Sequence, residues 1–356
     1  MRNLKTEITI KSKASGFTTG FTFDFVTDIE ITSGWDVFTD TAKVTIPKRL
    51  QYRKNGVATE YIAGGETSIF ERGDKITIKV GYEPNPVFKD VPVFYTAFEG
   101  YITEIEPRKP IIIHCEDAMY LLKQTRILTY ESDGPIKLLT LLTALRDAAV
   151  NFPSDDITDI KAVDMNVGEA IFENMSYAKV LEYLKKYGLL SYVKGSTLYC
   201  GFANITQSDT EAETLPNTIV PVDFTKELIR RNSLKYKRKE DVLISLKAYS
   251  ILEDNTRLES IQGDDYGDTR NLYYYNIDQE SLDKIAKESV DKFKYDGYRG
   301  SFTMFGVPQI KHGYAVKITP YADIPDEAGT YLVRQVKTSH GTQGFRQEVY
   351  LDKRID

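Results

Sequence analysis

The sequence predicts an α+β protein that is mainly β, with two similar β-barrel modules, a small α+β insert domain between them and an additional helix. Three observations predict this class. Short segments of alternating or continuous apolar residues fill both ends of the chain. Helical spacing is found only in the middle and in one later segment. The composition, with 24 Tyr and 17 Phe, favours half-buried strands.

Length, composition and net charge exclude some classes of function but do not identify one. At 356 residues the chain favours two to three domains. A net charge of −6, with acids and bases interspersed, does not indicate a nucleic-acid surface. Cys115 and Cys200 lie far apart and form neither a disulfide framework nor a Cys-x-x-Cys pair. No segment has the apolar length of a signal-peptide core or a membrane span, so we expect no membrane anchor.

Residues 1–127 are predicted to form the first β-barrel module. Their strand-like segments are rich in β-branched residues and are separated by Gly, Pro, Asn and Asp. Many short strands at this spacing are typical of a barrel or a sandwich. The predicted strands cover residues 7–11, 21–31, 42–46, 74–82, 98–106 and 111–115.

Residues 128–203 are predicted to form the α+β insert. Pro135 suits the first turn of one helix, and Ser176 is a good N-cap for a second helix that stops at Gly188. A Lys-Gly turn at 194–195 then joins two strands of a β-hairpin. The segments with helical spacing cover residues 117–124, 135–150 and 177–187.

Residues 219–356 are predicted to form the second β-barrel module, after a polar linker at 204–218. Asp278 is predicted to cap a helix over 279–295, which has one apolar face and is followed by Gly297. The predicted strands cover residues 232–251, 272–277, 300–306, 314–321, 330–339 and 344–351.

The two β-rich regions resemble each other in layout. Gly73 and Gly313 each lead into a strand where a side chain would obstruct a tight turn. Repeated β-units indicate a duplicated module, so we expect two similar barrels. The matching segments are RGDKITIKVGY (72–82) with KHGYAVKITPY (311–321), FEGYITEIE (98–106) with GTYLVRQVKTS (329–339), and IIIHCEDAMYLL (111–122) with FRQEVYLDKRI (345–355).

Three stretches carry a resemblance to a known family. The first is SGWDVFTDTAKVTIP (33–47), and the second is FERGDKITIKVGY (70–82) with FEGYITEIEP and IIIHCEDAMYLLKQ after it. The third runs from AKESVDKFKYDGYRG through GVPQIKHGYAVKI to YLVRQVKTSHGTQGFRQEVYL (286–351). In order and spacing these stretches resemble the baseplate hub, or tail protein D, family of phage tails and contractile injection machines. The hub part of type VI secretion spike proteins is related to that family.

The resemblance implies a mechanical role. Three copies would associate as a ring, and two modules per copy would give six similar units. Such a homotrimer adapts a hexameric tail tube to a trimeric spike or tail tip. Because the sequence ends at YLDKRID, we expect the spike or tail-tip protein to be separate. The implied partners are that protein and the tail tube protein, with DNA only as passing cargo.

The resemblance also implies a virion location, in the tail or baseplate, with assembly in the host cytoplasm. No enzymatic activity, no cofactor and no metal are expected. We expect the hairpins at 98–115 and 331–351 to help form the rim that faces the tube. The alternative function is a tail-tip cell-wall hydrolase or a carbohydrate-binding module.

Histidines are the first candidates for chemistry. His340 lies in TSHGTQGFRQEVYL, and with no Asp or Ser that the sequence places beside it, a structural hairpin-turn histidine is favoured over a catalytic base. His114 and Cys115 are neighbours on a strand and point to opposite faces, so we expect no shared metal ion. His312 stands alone.

Other motifs also have structural explanations. The Arg-Gly-Asp tripeptide at 72–74 matches a sequence that integrins recognise, but a glycine turn explains it more simply. The acid pairs at 155–156 and 264–265 are expected to be solvated turns, because glycosidases need facing carboxyls about 5–9 Å apart. The basic run at 234–242 is predicted to be a solvated strand face or an interface rim.

Overall fold

The computed structural model describes residues 3–47, 49–62, 70–83, 94–106, 109–202, 218–321 and 327–356. Strands make up 53% and helices 16%, which confirms the mainly β, α+β class. Within these residues the strands pair into one 15-stranded sheet and five smaller sheets.

The first part of the large sheet contains nine strands. Alternation places Ile8 and Ile10 of the first strand opposite Ile78 and Ile76 of the seventh, and all four side chains are fully buried. The strands are β1 (Leu4–Lys11), β2 (Gly20–Phe23), β3 (Asp28–Gly34), β4 (Thr41–Ile46), β5 (Leu50–Lys54), β6 (Val57–Ile62), β7 (Lys75–Tyr82), β8 (Phe94–Glu106) and β9 (Ile111–Glu116).

The prediction of one strand over 21–31 was wrong. The segment forms β2 and β3, and residues 24–27 lie between them. β2 pairs with β1 and β5, whereas β3 pairs with β4, so the two halves need different neighbours. The hairpin of β5 and β6 was not foreseen.

The middle of the chain folds as helices and short strands. Ser176 caps a helix as predicted, because its hydroxyl accepts a hydrogen bond from the Lys179 N–H at 3.2 Å. Pro135 was misplaced, since the first long helix begins only at Leu138, after a short strand. The elements are α1 (Met119–Gln124), β10 (Arg126–Glu131), β11 (Ile136–Lys137), α2 (Leu138–Ala148), β12 (Ala149–Val150), β13 (Asp159–Ala162), β14 (Asn166–Val167), β15 (Ile171–Ser176), α3 (Tyr177–Leu184), β16 (Leu189–Lys194) and β17 (Thr197–Phe202).

The last part of the chain returns to strands around one long helix. Asp278 caps that helix as predicted, since its carboxylate accepts from the Ser281 N–H at 3.0 Å. The helix ends at Phe293, two residues before the predicted end. The elements are β18 (Ile219–Asp223), β19 (Leu228–Arg230), β20 (Lys235–Lys237), β21 (Ile244–Ile251), β22 (Arg257–Gly263), β23 (Asp268–Tyr275), α4 (Gln279–Phe293), β24 (Gly297–Arg299), β25 (Ser301–Phe305), β26 (Ala315–Thr319), β27 (Gly329–Gly341) and β28 (Gly344–Arg354).

The prediction of one long strand over 232–251 was also wrong. β20 pairs with β24, and β21 lies in a separate sheet with β22 and β23, which α4 covers. A single turn of 3-10 helix at 239–241 redirects the chain between them.

Buried apolar side chains form four cores. The first core comes from β1–β5 and β7–β9 with Phe70 and Phe345, the insert core from residues 119–200 with Ile251, the second core from 220–351, and a smaller core lies between α4 and its sheet. The division of the chain at residues 127, 203 and 218 stays a prediction. Residues 204–217 of the predicted linker lie outside the described residues.

The pairing in the large sheet runs as an open path from β19 to β6, with β18 and β26 as a branch at β27. In the part of the chain that the structure describes, this path does not close into a barrel. The closed form of the two modules therefore stays a prediction. None of the described helices is both long and apolar enough to cross a bilayer.

Candidate functional site

Two three-stranded meanders occupy corresponding places in the two β-rich parts. β7, β8 and β9 pair antiparallel in chain order, and so do β26, β27 and β28. These are the segments that matched in the sequence. We call them the first meander and the second meander.

Both meanders begin with the same turn. Gly73 has φ +92° and donates its N–H to the Ile102 carbonyl at 2.8 Å. Gly313 has φ +77° and donates to the Val333 carbonyl at 2.9 Å. In each case the residue after the glycine accepts the return bond, at 2.9 and 2.8 Å. The left-handed backbone explains why glycine stands at both positions.

Both meanders also have an irregular register at the same place. In the first, the shift lies between Ile102 and Glu104 of β8, where they face β9. In the second, it lies between Val333 and Gln335 of β27, where they face β28. Because a bulge is a specific backbone feature, the match fixes which residues of the two meanders are equivalent.

The matching extends to the strands beyond the meanders. The first meander continues through β4 to β3, and the second continues through β25 to β19. The strand before each meander differs, because β1 pairs antiparallel with β7 whereas β18 pairs parallel with β26. Five strands in the same order are thus repeated in one chain.

The hairpin of β27 and β28 joins the two repeats. Its base contributes Val336 and Val349 to the second core. Its tip contributes Phe345 to the first core, with ring centroids 5.6 Å from Tyr82 and 6.0 Å from Tyr95. Residues 335–341 also pair antiparallel with β3. The hairpin at 331–351, which was predicted to help form the rim that faces the tube, therefore belongs to both halves of the sheet.

His340 is a buried structural residue. It lies within β27, one pair before the turn, rather than in the turn itself. Its Nδ1 is 3.3 Å from the Thr6 hydroxyl, and its ring packs edge-on against Phe345 at 5.1 Å. Burial lowers the pKa of His340, so the ring is held neutral between the two halves of the sheet.

The other two histidines have different surroundings. His114 accepts or donates a hydrogen bond at 2.9 Å to Glu106, while Cys115 points into the first core and burial raises its pKa. His312 does not stand alone, because its Nε2 lies 3.9 Å from an Asp40 carboxylate oxygen. No cluster of three potential metal ligands occurs among the described residues.

An acidic pair that the sequence did not indicate lies next to His312. Asp40 donates its N–H to the Asp117 carboxylate at 3.1 Å, and Asp117 donates its N–H to the Asp40 carbonyl at 3.0 Å. Burial, with the neighbouring Asp117 charge, raises the pKa of Asp40 to about 7, and burial raises the pKa of Asp117 to about 6. Both carboxyl groups therefore keep their protons to a higher pH than exposed aspartates do.

This pair borders a cavity of about 440 Å³ where the first meander, the insert and the second part of the chain meet. Its charged and titratable lining comes from all three parts. These residues are Asp40, Lys75, Tyr95, Glu99, Tyr101, Asp117, Asp156, Lys194, Lys311 and His312. The cavity is a polar junction between the parts.

The remaining motifs have structural roles. Asp74 of the Arg-Gly-Asp tripeptide is fully buried and accepts hydrogen bonds from two backbone N–H groups. Asp156 pairs with Lys75 at 2.7 Å, and Asp264 pairs with Lys294 at 2.7 Å. These acids therefore hold elements together rather than face each other across a cleft.

The arrangement of strands is that of phage tail proteins and type VI secretion hub-like proteins. A tail protein from Neisseria meningitidis MC58 matches with a TM-score of 0.57 and 12% identity, over 99% of this chain and 97% of that one. The 43 kDa tail protein of prophage MuSo2 from Shewanella oneidensis matches with a TM-score of 0.54 and 13% identity, over 99% and 97%.

A component of the type VI secretion system of E. coli, c3393, matches with a TM-score of 0.52 and 8% identity, over 97% of this chain and 76% of that one. That protein is structurally similar to the T4 bacteriophage tail proteins gp27 and gp5. At these identities the likeness is one of fold, and none of the three is named as an enzyme. No family model matches the sequence, and no curated protein matches it.

Proposed function

We propose that the chain is the structural hub of a phage tail or of a phage-like injection machine. Three copies form a ring that joins a hexameric tail tube to a trimeric spike or tail tip. The observation that carries the proposal is the repeat of five strands within one chain, with the same glycine turn and the same bulge. A threefold ring presents six similar units only if each copy contains two.

The residues that the sequence analysis singled out are engaged within the fold. His340 and Asp74 are buried, and the acids at 156 and 264 are engaged in ion pairs. The polypeptide instead offers strand edges, which are templates for pairing with other chains. The partners in this proposal are the tube protein and a separate spike or tail-tip protein, and the location is the tail or baseplate of the particle.

The oligomeric state tests the proposal. Mass photometry of the purified protein, alone and with its spike partner, is expected to give a species three times the 40.5 kDa mass of the chain. Negative-stain class averages of that species are expected to show a threefold ring with six similar lobes. A strictly monomeric protein in both samples, or a closed ring of another order, would contradict the proposed hub.

A further inference from the structure

One edge of β27 has two neighbours in succession. Its first half pairs with β26, over Gly329 to Leu332. Its second half pairs on the same edge with β3, from Gln335 to Gly341. The opposite edge pairs with β28 along most of its length. The second meander is thus extended on this edge by a strand from the first repeat.

The equivalent edge of β8 has only the first of these neighbours. β7 pairs with β8 from Phe94 to Tyr101, and the glycine turn extends the contact to Ile102. From Thr103 to Glu106, β8 pairs with β9 on its other edge, and no strand of the described residues pairs with this one, while the Glu106 side chain is bonded to His114 at 2.9 Å. In the second repeat the equivalent edge of β27 pairs with β3. A strand equivalent to β3 is therefore expected on this edge of β8.

The strand equivalent to β3 can be identified by register. Lys43 of β4 lies opposite His114, and Ser301 of β25 lies opposite the matched Tyr350. Two residues earlier in the chain are Thr41 of β4 and Arg299 of β24, which Gly300 joins to β25. Their partners on the next strand are Thr32 of β3 and Lys235 of β20. β19 therefore corresponds to the beginning of β3 and β20 corresponds to its end, and β24 is the one strand that pairs with β20 among the described residues.

We infer that the open edge of β8 in one copy pairs antiparallel with β20 of the next copy. This inference rests on the proposed ring and specifies which strands of neighbouring copies pair with each other. Gln335 lies opposite Gly34 and Lys337 opposite Thr32 within the chain. Between the repeats, Gln335 and Lys337 match Glu104 and Glu106, while Gly34 and Thr32 match Lys237 and Lys235. The same register between copies therefore places Glu104 opposite Lys237, Ile105 opposite Tyr236, and Glu106 opposite Lys235.

In the inferred pair, the apolar residues of both strands lie on one face and the charged residues lie on the other. Ile105 packs against the first core and Tyr236 packs against the second core, so both point inward. The Glu and Lys side chains on either side of them point the other way. Directly opposite residues of an antiparallel pair share a face, and opposite charges there attract. The inferred contact thus places the acidic end of β8 beside the basic run at 234–242.

The surroundings of β20 add to this complementarity. Lys237 lines a cavity of about 340 Å³ together with Arg270, Arg299 and Arg334, and Asp268 is the acid in its lining. Arg270 and Arg334 already pair with Asp352 and Asp36 at 3.9 and 3.5 Å, so an incoming carboxylate such as that of Glu104 would be attracted mainly by Lys237 and Arg299. A contact between two different edges can repeat around a ring such as the proposed trimer, whereas a contact between identical edges would stop at a dimer.

Disulfide trapping tests the register. In the double variant E104C/K237C the two sulfurs lie on facing strands of neighbouring copies, at a spacing suitable for a disulfide. Oxidation is expected to yield covalent dimers and closed trimers on denaturing gels, and the single variants are expected to yield neither. The natural Cys115 and Cys200 are buried and do not interfere. A double variant that forms rings without cross-linking would overturn the inferred contact.

Charge reversal provides a second test. E104K/E106K and K235E/K237E are each expected to weaken assembly about tenfold or more, and the quadruple variant is expected to restore it. E131K/E173K makes the same change at exposed residues of the insert and serves as the control. Rings that tolerate either reversal as well as this control would overturn the contact and leave the hub intact. The absence of rings from the unmodified protein would overturn the hub itself.

Discussion

At the level of single residues, the unusual electrostatics lie in buried acids rather than in histidines. Asp40 accepts hydrogen bonds from the Ser33 hydroxyl at 2.6 Å and from the Gly34 N–H at 3.1 Å, yet burial still raises its pKa to about 7. A raised carboxyl pKa means that the folded chain binds this proton more tightly than the unfolded chain does. The associated stability is complete below about pH 4 and is lost as pH rises through 7.

We expect Asp40→Asn to remove this dependence. The amide keeps both hydrogen bonds, with its oxygen on Gly34 and its NH₂ group on Ser33, and it carries no charge. At pH 8 the variant should be more stable than the parent by on the order of 1 kcal/mol, and the difference should disappear near pH 4. Urea unfolding at both pH values measures it, with Asp155→Asn at an exposed acid as the control. A variant less stable than the parent at pH 8 would contradict this account.

The sequence predicted the opposite orientations of His114 and Cys115, but it placed His340 in a turn and missed the acid beside His312 and the pair of buried acids. Strand alternation alone showed that His114 and Cys115 point to opposite faces. Asp40 and Asp117 are 77 residues apart and come together only because β4 pairs with β9. No local sequence pattern predicts this pair, because only the register of the sheet brings the two residues together.

At the level of elements, the repeated glycine turns are directly testable. Gly313→Ala is expected to cost about 1 kcal/mol, because alanine disfavours φ +77° even though no atom lies within 4 Å of the added Cβ. Gly20→Ala is the matched control, because its backbone is extended and the nearest atoms lie 3.9 Å away. Equal losses for the two variants in urea unfolding would argue against conformational strain at the turn.

Elements were predictable where one face of a strand or helix is buried. β1, β4, β7 and β9 alternate cleanly because their inward residues enter the first core. Caps at Ser176 and Asp278 marked two helix starts. Strands such as β22 were missed, since it mixes exposed and half-buried residues along an edge of a small sheet. Such strands depend on tertiary neighbours rather than on periodicity.

At the level of the whole molecule, Phe345 couples the two halves. It is 2% exposed and packs in the first core, although it comes from a hairpin whose base lies in the second. Phe345→Ala is expected to cost about 3–5 kcal/mol in urea unfolding. Phe25→Ala, at a side chain that is 60% exposed, should cost less than about 0.5 kcal/mol. A loss at Phe345 no larger than at Phe25 would show that the tip does not hold the first core.

The repeat was predictable from the sequence, but the way its two copies join was not. Layout alone identified the glycine-led strands and the meanders that follow them. The pairing of β3 with β27 links residues 28–34 to residues 335–341, and no local signal reports so distant a neighbour. The same pairing shows which edge of β8 has no paired strand among the described residues, and the inferred contact between copies rests on it.

The pairing of β3 with β27 also affects how a nascent chain matures. The ribosome releases β3 early and β27 about 300 residues later, which at about 5–20 residues per second is an interval of roughly 15–60 s. During that time β3 has a bare edge and the first core lacks its last aromatic ring. A copy therefore cannot complete the first core before the hairpin of β27 and β28 has been synthesised.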